Sequence, residues 1–253
     1  MTQVIDTFKR VEDKYFITAE QMNEIIEECK GYIKEDVYFR YRVHSIYFDS
    51  INSDLVIRSL LKPEYKMKLR LRCYGEATGH SPVFFETKKK YGNIVYKRRI
   101  QLDEQEAYDY VNDGIMHHVK NNTADEIDYM MKYYNLKPVV RISYDRHCYS
   151  AIHESDVRIT FDANVKYELN PESLKEDGNE KELPLGIIME VKAMDRYPMW
   201  LVKILSEKKL YKQSSSKYGM IYTENFETMS PKANTYNSYR MGEQEVKICS
   251  VQY

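Results

Sequence analysis

Lysine and arginine recur at every second position in several stretches of this 253-residue chain. That spacing gathers side chains on one face of a β-strand. In Lys66-Met67-Lys68-Leu69-Arg70-Leu71-Arg72 the alternation has no fault: Lys68, Arg70 and Arg72 take one face, and Met67, Leu69, Leu71 and Cys73 the other. Residues 83–99 hold two runs rich in aromatic and β-branched residues around Tyr91-Gly92-Asn93, which predicts a β-hairpin. Phe84, Glu86, Lys88 and Lys90 share one side of its first strand; Val95, Lys97 and Arg99 share a side of the second. With Glu86, Lys88, Lys97 and Arg99 all pointing one way, the hairpin carries a dense charged surface. One such hairpin reads equally well as an ordinary solvated sheet face, so recurrence along the chain decides.

The pattern recurs. Arg10, Glu12 and Lys14 share a face of a strand over residues 10–16, and Arg141, Ser143 and Asp145 a face over 139–149. Arg158, Thr160 and Asp162 do so over 157–165, and Ile188, Glu190 and Lys192 over 186–193. On these polar faces cations outnumber acids by more than two to one, in a chain whose net charge is −1. A flat sheet of this kind repels itself by about 1 kcal/mol per close pair even in water. Closing it into a barrel turns the polar face inward as a wet, basic tunnel and leaves the apolar face for helices to cover. The predicted class is α+β, an antiparallel β tunnel barrel with a cationic interior and helices packed outside. Arginine forks and mobile lysine charges suit phosphate oxygens, so the implied ligand is a chain of phosphates. Glu12, Glu86, Asp162 and Glu190 are hard oxygen donors suited to Mg²⁺ or Mn²⁺, or else partners of neighbouring cations. Glu190 is the leading metal candidate, because its strand lies nearest the turn at Ser216-Lys217.

Helices must cover the apolar faces. Thr18 and Gln21 form a capping box ahead of Met22, Ile25, Ile26 and Cys29 at helical spacing, with Gly31 as the stop. His44 to Asp49 is a short strand, and residues 52–61 a short helix closed by Pro63. Asp103 with Glu106, ending at Gly114, predicts a second capped helix, and Thr123 with Glu126 a third reaching about Tyr134. Residues 168–186 read as a polar loop. A helix over 198–209 offers Trp200, Leu201, Ile204 and Leu205 to the core, and the polar turn 212–218 leads into a last helix. Residues 1–229 are expected to form a single tunnel domain and 230–253 a loosely held tail.

Composition narrows the function. The near-neutral balance gives no bulk electrostatic case for nucleic acid or an anionic membrane. Cys29, Cys73, Cys148 and Cys249 form no C-x-x-C pair and are expected as free thiols; the histidine spacing gives no zinc motif. No apolar run reaches membrane-spanning length and residues 1–8 do not read as a signal peptide, so a cytoplasmic protein is expected.

Several short motifs occur in order: Arg10-x-Glu12-x-Lys14-Tyr15, Tyr47-Phe48-Asp49, Leu69-Arg70-Leu71-Arg72-Cys73-Tyr74-Gly75, Glu86-x-Lys88, Arg141-x-x-Tyr144-x-Arg146, Val157-Arg158-Ile159, Glu190-Val191-Lys192 and Ser216-Lys217-Tyr218. Together, over roughly residues 8–225, they resemble the polyphosphate polymerase domain of the vacuolar transporter chaperone (VTC) family, within the triphosphate tunnel metalloenzymes, also called CYTH proteins. The resemblance implies an ATP:polyphosphate phosphotransferase that moves the γ-phosphate of ATP onto inorganic polyphosphate, using Mn²⁺ or Mg²⁺. It implies phosphate or nucleotide binding by Lys14, Arg70, Arg72, Lys88, Lys97, Arg99, Arg141, Arg158, Ser216 and Lys217, with Lys14, Arg70, Arg72, Lys88, Lys192 and Lys217 closest to the chemistry. It implies metal binding at Glu190, with Glu12, Glu86 and Asp162 as further oxygen donors. The wider superfamily begins Glu-x-Glu-x-Lys; here Arg10 replaces the first acid, which removes a metal-ligand position and favours the polymerase branch over the triphosphatases. The regulatory and membrane segments of eukaryotic relatives are not expected. A triphosphatase or polyphosphatase using the same tunnel, and a non-catalytic polyphosphate- or nucleotide-binding module, are the competing readings.

Overall fold

The computed structural model describes residues 10–92, 94–114, 119–214 and 216–230; the expected tail beyond Ser230 lies outside them. Alternating apolar and polar residues build nine strands in one sheet. They are β1 (Arg10–Ile17), β2 (Ile33–Asp49), β3 (Tyr65–Tyr74), β4 (Pro82–Tyr91), β5 (Ile94–Asp103), β6 (Lys137–Ala151), β7 (Arg158–Leu169), β8 (Lys181–Glu182) and β9 (Ile187–Met194). Their order is β1-β9-β7-β6-β2-β3-β4-β5, with β8 on β7, and all pairings between them are antiparallel. The fold is α+β, as the alternation predicts.

No backbone pairing joins β1 to β5 among the described residues, so the sheet is not a hydrogen-bonded closed barrel. It nevertheless curls, because Lys88 of β4 reaches Glu12 of β1 at 3.5 Å although the two strands sit near opposite ends of the order. The free edge of β1 is met by the segment before the last helices, where Gln213 N–H donates to the Lys14 carbonyl at 2.7 Å.

The register gives every strand a concave and a convex face. On the convex face two hydrophobic clusters form. One joins Ile46, Leu69, Leu71, Phe85, Ile100 and Leu102 to helices α3 (Glu104–Asp113) and α4 (Asn122–Tyr133). The other joins Tyr15, Phe161, Met189 and Val191 to α1 (Ala19–Glu28) and α5 (Met199–Glu207). The capping boxes at Thr18/Gln21 and Asp103/Glu106 start α1 and α3, and Gly114 at φ 73° ends α3.

Two local expectations are corrected. Asn121, not Thr123, caps α4 through bonds from the Thr123 and Ala124 amides, leaving Glu126 to pair with Lys89 and Arg98. Strand β2 begins at Ile33 rather than His44, since its exposed first half pairs with β6 without needing an apolar face. Cys29, Cys73 and Cys148 are free and buried, while Cys249 lies outside the described residues.

A third cluster fills one end of the concave face. Helix α6 (Lys217–Glu224) sets Tyr218, Ile221 and Tyr222 against Val43, Val140, Ile142 and Val165, beside Val56 of α2 (Asp54–Leu60). The buried carboxylate of Asp49 accepts from the Leu55 and Val56 amides, at 2.8 and 2.9 Å, and from the Tyr218 hydroxyl at 2.8 Å. One carboxylate thus starts α2 and ties α6 into the sheet. A short α7 (Phe226–Met229) follows. Among the described residues, no helix is long and apolar enough to cross a membrane.

Candidate functional site

The rest of the concave face is basic. Register pairs run Lys68↔Lys88↔Lys97 and Arg70↔Glu86↔Arg99 across β3, β4 and β5. On the opposite wall Glu12↔Lys192↔Arg158 and Lys14↔Glu190↔Thr160 run across β1, β9 and β7. Residues far apart in sequence therefore line one channel, with Lys217 entering from the start of α6.

Each acid on this face is engaged. Glu86, 1% exposed, takes Arg70 Nε at 2.8 Å, Arg70 Nη2 at 2.6 Å and Lys97 Nζ at 2.8 Å. Burial works to raise its pKa, but Arg70, Arg72 and Lys97 overcome that and hold it at about 2. Asp162, fully buried, receives a fork from Arg146, Nε at 2.6 Å and Nη2 at 2.8 Å, and Lys217 Nζ at 2.5 Å. Against the same burial penalty, Lys217 and Arg146 hold it at about 2. Glu190 pairs with Lys192; burial opposes its ionisation, yet Lys192, Lys14 and Arg146 keep the carboxyl well below the ordinary range. Among the described residues, Glu12 meets Lys88 at 3.5 Å.

The cations keep capacity beyond these pairs. Lys88 and Lys97 remain 42% and 45% exposed and so offer their charge to the channel. Burial among Lys14, Lys88 and Arg70 brings Lys68 down to about 8. A site crowded enough to loosen a lysine's proton is one that a polyanion would relieve. Lys217 also sits 4.1 Å from the centre of the Tyr144 ring, and Arg146 lies over the same ring at 5.2 Å.

The VTC domain family model matches residues 9–224. The chain belongs to the VTC domain family. No protein of curated function matches the sequence significantly. Among solved structures, a Bacillus halodurans protein assigned as an adenylate cyclase shares 14% identity over 84% of this chain and 96% of its own, with a TM-score of 0.52. A Hippeastrum protein, assigned as an adenylyl cyclase and described as having a dominant triphosphatase activity, shares 13% over 85% and 96%, also at 0.52. At these identities the likeness is one of fold.

Within this VTC domain the channel brings together Lys14, Arg70, Arg72, Lys88, Lys97, Arg99, Glu190, Lys192 and Lys217, with Glu12, Glu86 and Asp162. Arg99 stacks over Phe84 at 4.7 Å. Arg158 stands at the rim, turned towards Asp36. The Ser216 hydroxyl caps α6 by accepting from the Gly219 amide at 3.0 Å, so it positions Lys217.

Arg141 is the exception. It pairs in register with Ile46 and Glu168, on the convex side of the sheet, and is 2% exposed. The loop after β7 wraps it: the Ser173 carbonyl accepts at 3.1 Å, the Lys175 carbonyl and Glu180 accept beside it, and Glu168 lies at 2.5 Å. A guanidinium so enclosed has no route to a channel ligand, and its phosphate-binding role is withdrawn. Arg146, five residues on, occupies the channel instead. Lys68, Tyr47 and Tyr144 also face the channel; the alternation around Arg70 already marked Lys68, while the two tyrosines carried no charge to mark them.

The family implies a divalent cation, and the residues fit one. Glu86 and Asp162 are each held by two cations, whereas Glu190 pairs with Lys192 and Glu12 has a 3.5 Å contact with Lys88. One or two carboxylates completed by phosphate and water oxygens is the environment Mg²⁺ and Mn²⁺ prefer. A second acidic group, Glu168, Asp177 and Glu180, lies on the convex side around Arg141, whose charge it neutralises.

Proposed function

We propose that this VTC domain is a polyphosphate polymerase, transferring the γ-phosphate of ATP onto a growing phosphate chain in the cationic channel. The observation that carries the reading is the concave face itself: ranks of lysine and arginine from both walls, with every acid among the described channel residues already paired to a cation. Phosphoryl transfer asks a protein mainly to position the reactants and stabilise charge. An incoming phosphate oxygen is already anionic and needs no base. Water does need one, and the carboxylates of Glu86 and Asp162, each clamped between two cations, serve poorly as bases.

Arg70 and Arg72, fixed by Glu86 and by Ser45 Oγ at 3.0 Å, would grip equatorial phosphate oxygens from one wall. Arg146 and Lys217, braced on Asp162, would grip them from the other. Lys14, Lys88 and Lys192 would follow the chain along the channel as mobile charges. A Mn²⁺ or Mg²⁺ held by Glu190, with Glu12 near, would supply additional neutralisation of phosphate oxygens when bound.

Incubating the purified protein with ATP and Mn²⁺ separates the readings. Long phosphate chains are expected; free phosphate alone would make it a triphosphatase or polyphosphatase, and no turnover a binding module. Glu190→Gln should abolish metal-dependent turnover while leaving the fold intact, and full activity in that variant would remove Glu190 from the site.

A further inference from the structure

The channel arginines are partnered by phenol oxygens as well as by carboxylates. Arg70 Nη1 donates to the Tyr47 hydroxyl oxygen at 3.2 Å, and Arg72 Nη2 to that of Tyr144 at 3.3 Å. Tyr144 also lies under Arg146 and Lys217, which have Asp162 as their anion. Tyr47 is different. The register sets Arg70 of β3 directly opposite Tyr47, with Lys68 and Arg72 on either side of it on the same face; next on that face, on β4, stand Glu86, already engaged by Arg70 and Lys97, and Lys88. From α6 it meets the Tyr218 ring at 5.3 Å, whose hydroxyl is committed to Asp49. On β6 its register partner is Val140. Three cations thus converge on one phenol, with no carboxylate recorded on its hydroxyl among the described residues.

We propose that Tyr47 is a proton-exchanging counter-group to the channel arginines: its oxygen serves as their anion in the free enzyme and takes up one proton when a phosphate chain engages the same cations. The inference rests on the channel being a phosphate site. No covalent bond changes. The proton comes from solvent or from an acidic phosphate hydroxyl, and the neutral phenol can then donate to a phosphate oxygen. The driving force is electrostatic: once phosphate compensates Lys68, Arg70 and Arg72, a second anion beside them is repelled, and protonation removes that repulsion. Burial by itself would raise the Tyr47 pKa, but Arg70, Arg72 and Lys68 bring it down to about 7. Tyr47 therefore exchanges its proton in the neutral range.

Two measurements on the full-length protein test this. First, the near-ultraviolet tyrosinate band is followed against pH in the wild type, Tyr47→Phe and Lys68→Met. The wild type should ionise one tyrosine near neutrality; Tyr47→Phe should lose that step, and Lys68→Met should move it to higher pH. Tyr74 is also lowered, by Arg72 against its own burial, so the difference between wild type and Tyr47→Phe is the readout. Second, inorganic tripolyphosphate binding is measured by calorimetry in buffers of different ionisation heat, at slightly alkaline pH. The wild-type tyrosinate band should fall as ligand is added; Lys68, brought down to about 8, can take up a proton in either protein, so the band and not the total uptake is the readout. A wild type without the neutral step, or a tyrosinate band that bound tripolyphosphate leaves unchanged, overturns the inference. Should tripolyphosphate bind neither protein, the phosphate channel itself fails and the exchange with it, whereas binding with an unchanged band removes only the exchange.

Discussion

Strand β6 carries two arginines five residues apart, and they have opposite fates. Arg146 faces the channel and shares a single acid, Asp162, with Lys217, so that cluster keeps a net positive charge. Arg141 faces outward and is enclosed by Glu168, Glu180, Asp177 and backbone carbonyls, so that cluster is net negative. The first arrangement has unspent attraction for an anion. The second clamps a loop. Residue type alone does not make an arginine a phosphate ligand; the ratio of charges around it does.

The largest expected break in this comparison comes from Asp162. Changing it to Asn leaves Arg146 and Lys217 packed together without their anion, and losing one partner of a buried ion pair typically costs about 3–5 kcal/mol. Denaturant unfolding of Asp162→Asn should show a midpoint well below wild type. A near-unchanged midpoint would mean that Asp162 does not brace the two cations.

Replacing each arginine by methionine sharpens the contrast. Arg146→Met should weaken tripolyphosphate binding about ten-fold or more, since a charge-assisted hydrogen bond is worth about 1.5–3 kcal/mol. Arg141→Met should lower stability, by stranding Glu168 and Glu180, yet leave the affinity of the folded protein unchanged. Equal loss of affinity in both, measured by calorimetry, would erase the distinction between the faces.

That distinction also marks what was legible in the sequence. Two-residue periodicity places Lys14, Arg70, Arg72, Lys88, Lys97, Glu190 and Lys192 on shared faces, and the structure keeps those groupings because β1, β3, β4, β5 and β9 run without bulges. Periodicity does not say which face is inner. On β6 the rule that the polar face lines the channel inverts at one end, because α6 packs Tyr218, Ile221 and Tyr222 onto Val140 and Ile142 inside the curl. The polar set Arg141, Ser143 and Asp145 is thereby turned outward. Strand β7 adds a second irregularity: the register shifts opposite Ser143 and Asp145, Asn164 adopts φ 51°, and the inward set passes from Arg158, Thr160 and Asp162 to Val165 and Tyr167. The approach of a helix that follows both strands in sequence leaves no signature in the strands it covers.

Acid should separate the clusters more gently. Glu86 and Asp162 sit at about 2 in the folded protein, below the usual carboxylate range of the unfolded chain. Their stabilisation is complete above that unfolded range and is lost as pH falls through it towards about 2. Glu168 runs the other way: its burial, not outweighed by Arg141, raises its pKa, so its protonation as pH falls is favoured in the folded protein. Lowering pH from neutrality should therefore erode stability mainly through the channel acids. Asp162→Asn should show a visibly flatter acid limb than wild type, and an identical limb would count against the assignment.

The smallest effect is expected at Glu12, whose contact among the described residues is a long one to a partly exposed lysine. Such pairs are worth about 0–1 kcal/mol, so Glu12→Gln should barely move the unfolding midpoint. Its carboxylate is on the same face as Glu190, one strand away. If the pair holds a divalent ion, the change should appear instead as weaker Mn²⁺ binding, followed by the paramagnetic relaxation of solvent water, with Glu86→Gln affecting stability far more than metal affinity. The reverse pattern would move the metal to the Arg70 side of the channel. Glu86 would then have to give up Arg70 and Lys97 to receive the ion, a costly exchange for a carboxylate so thoroughly engaged.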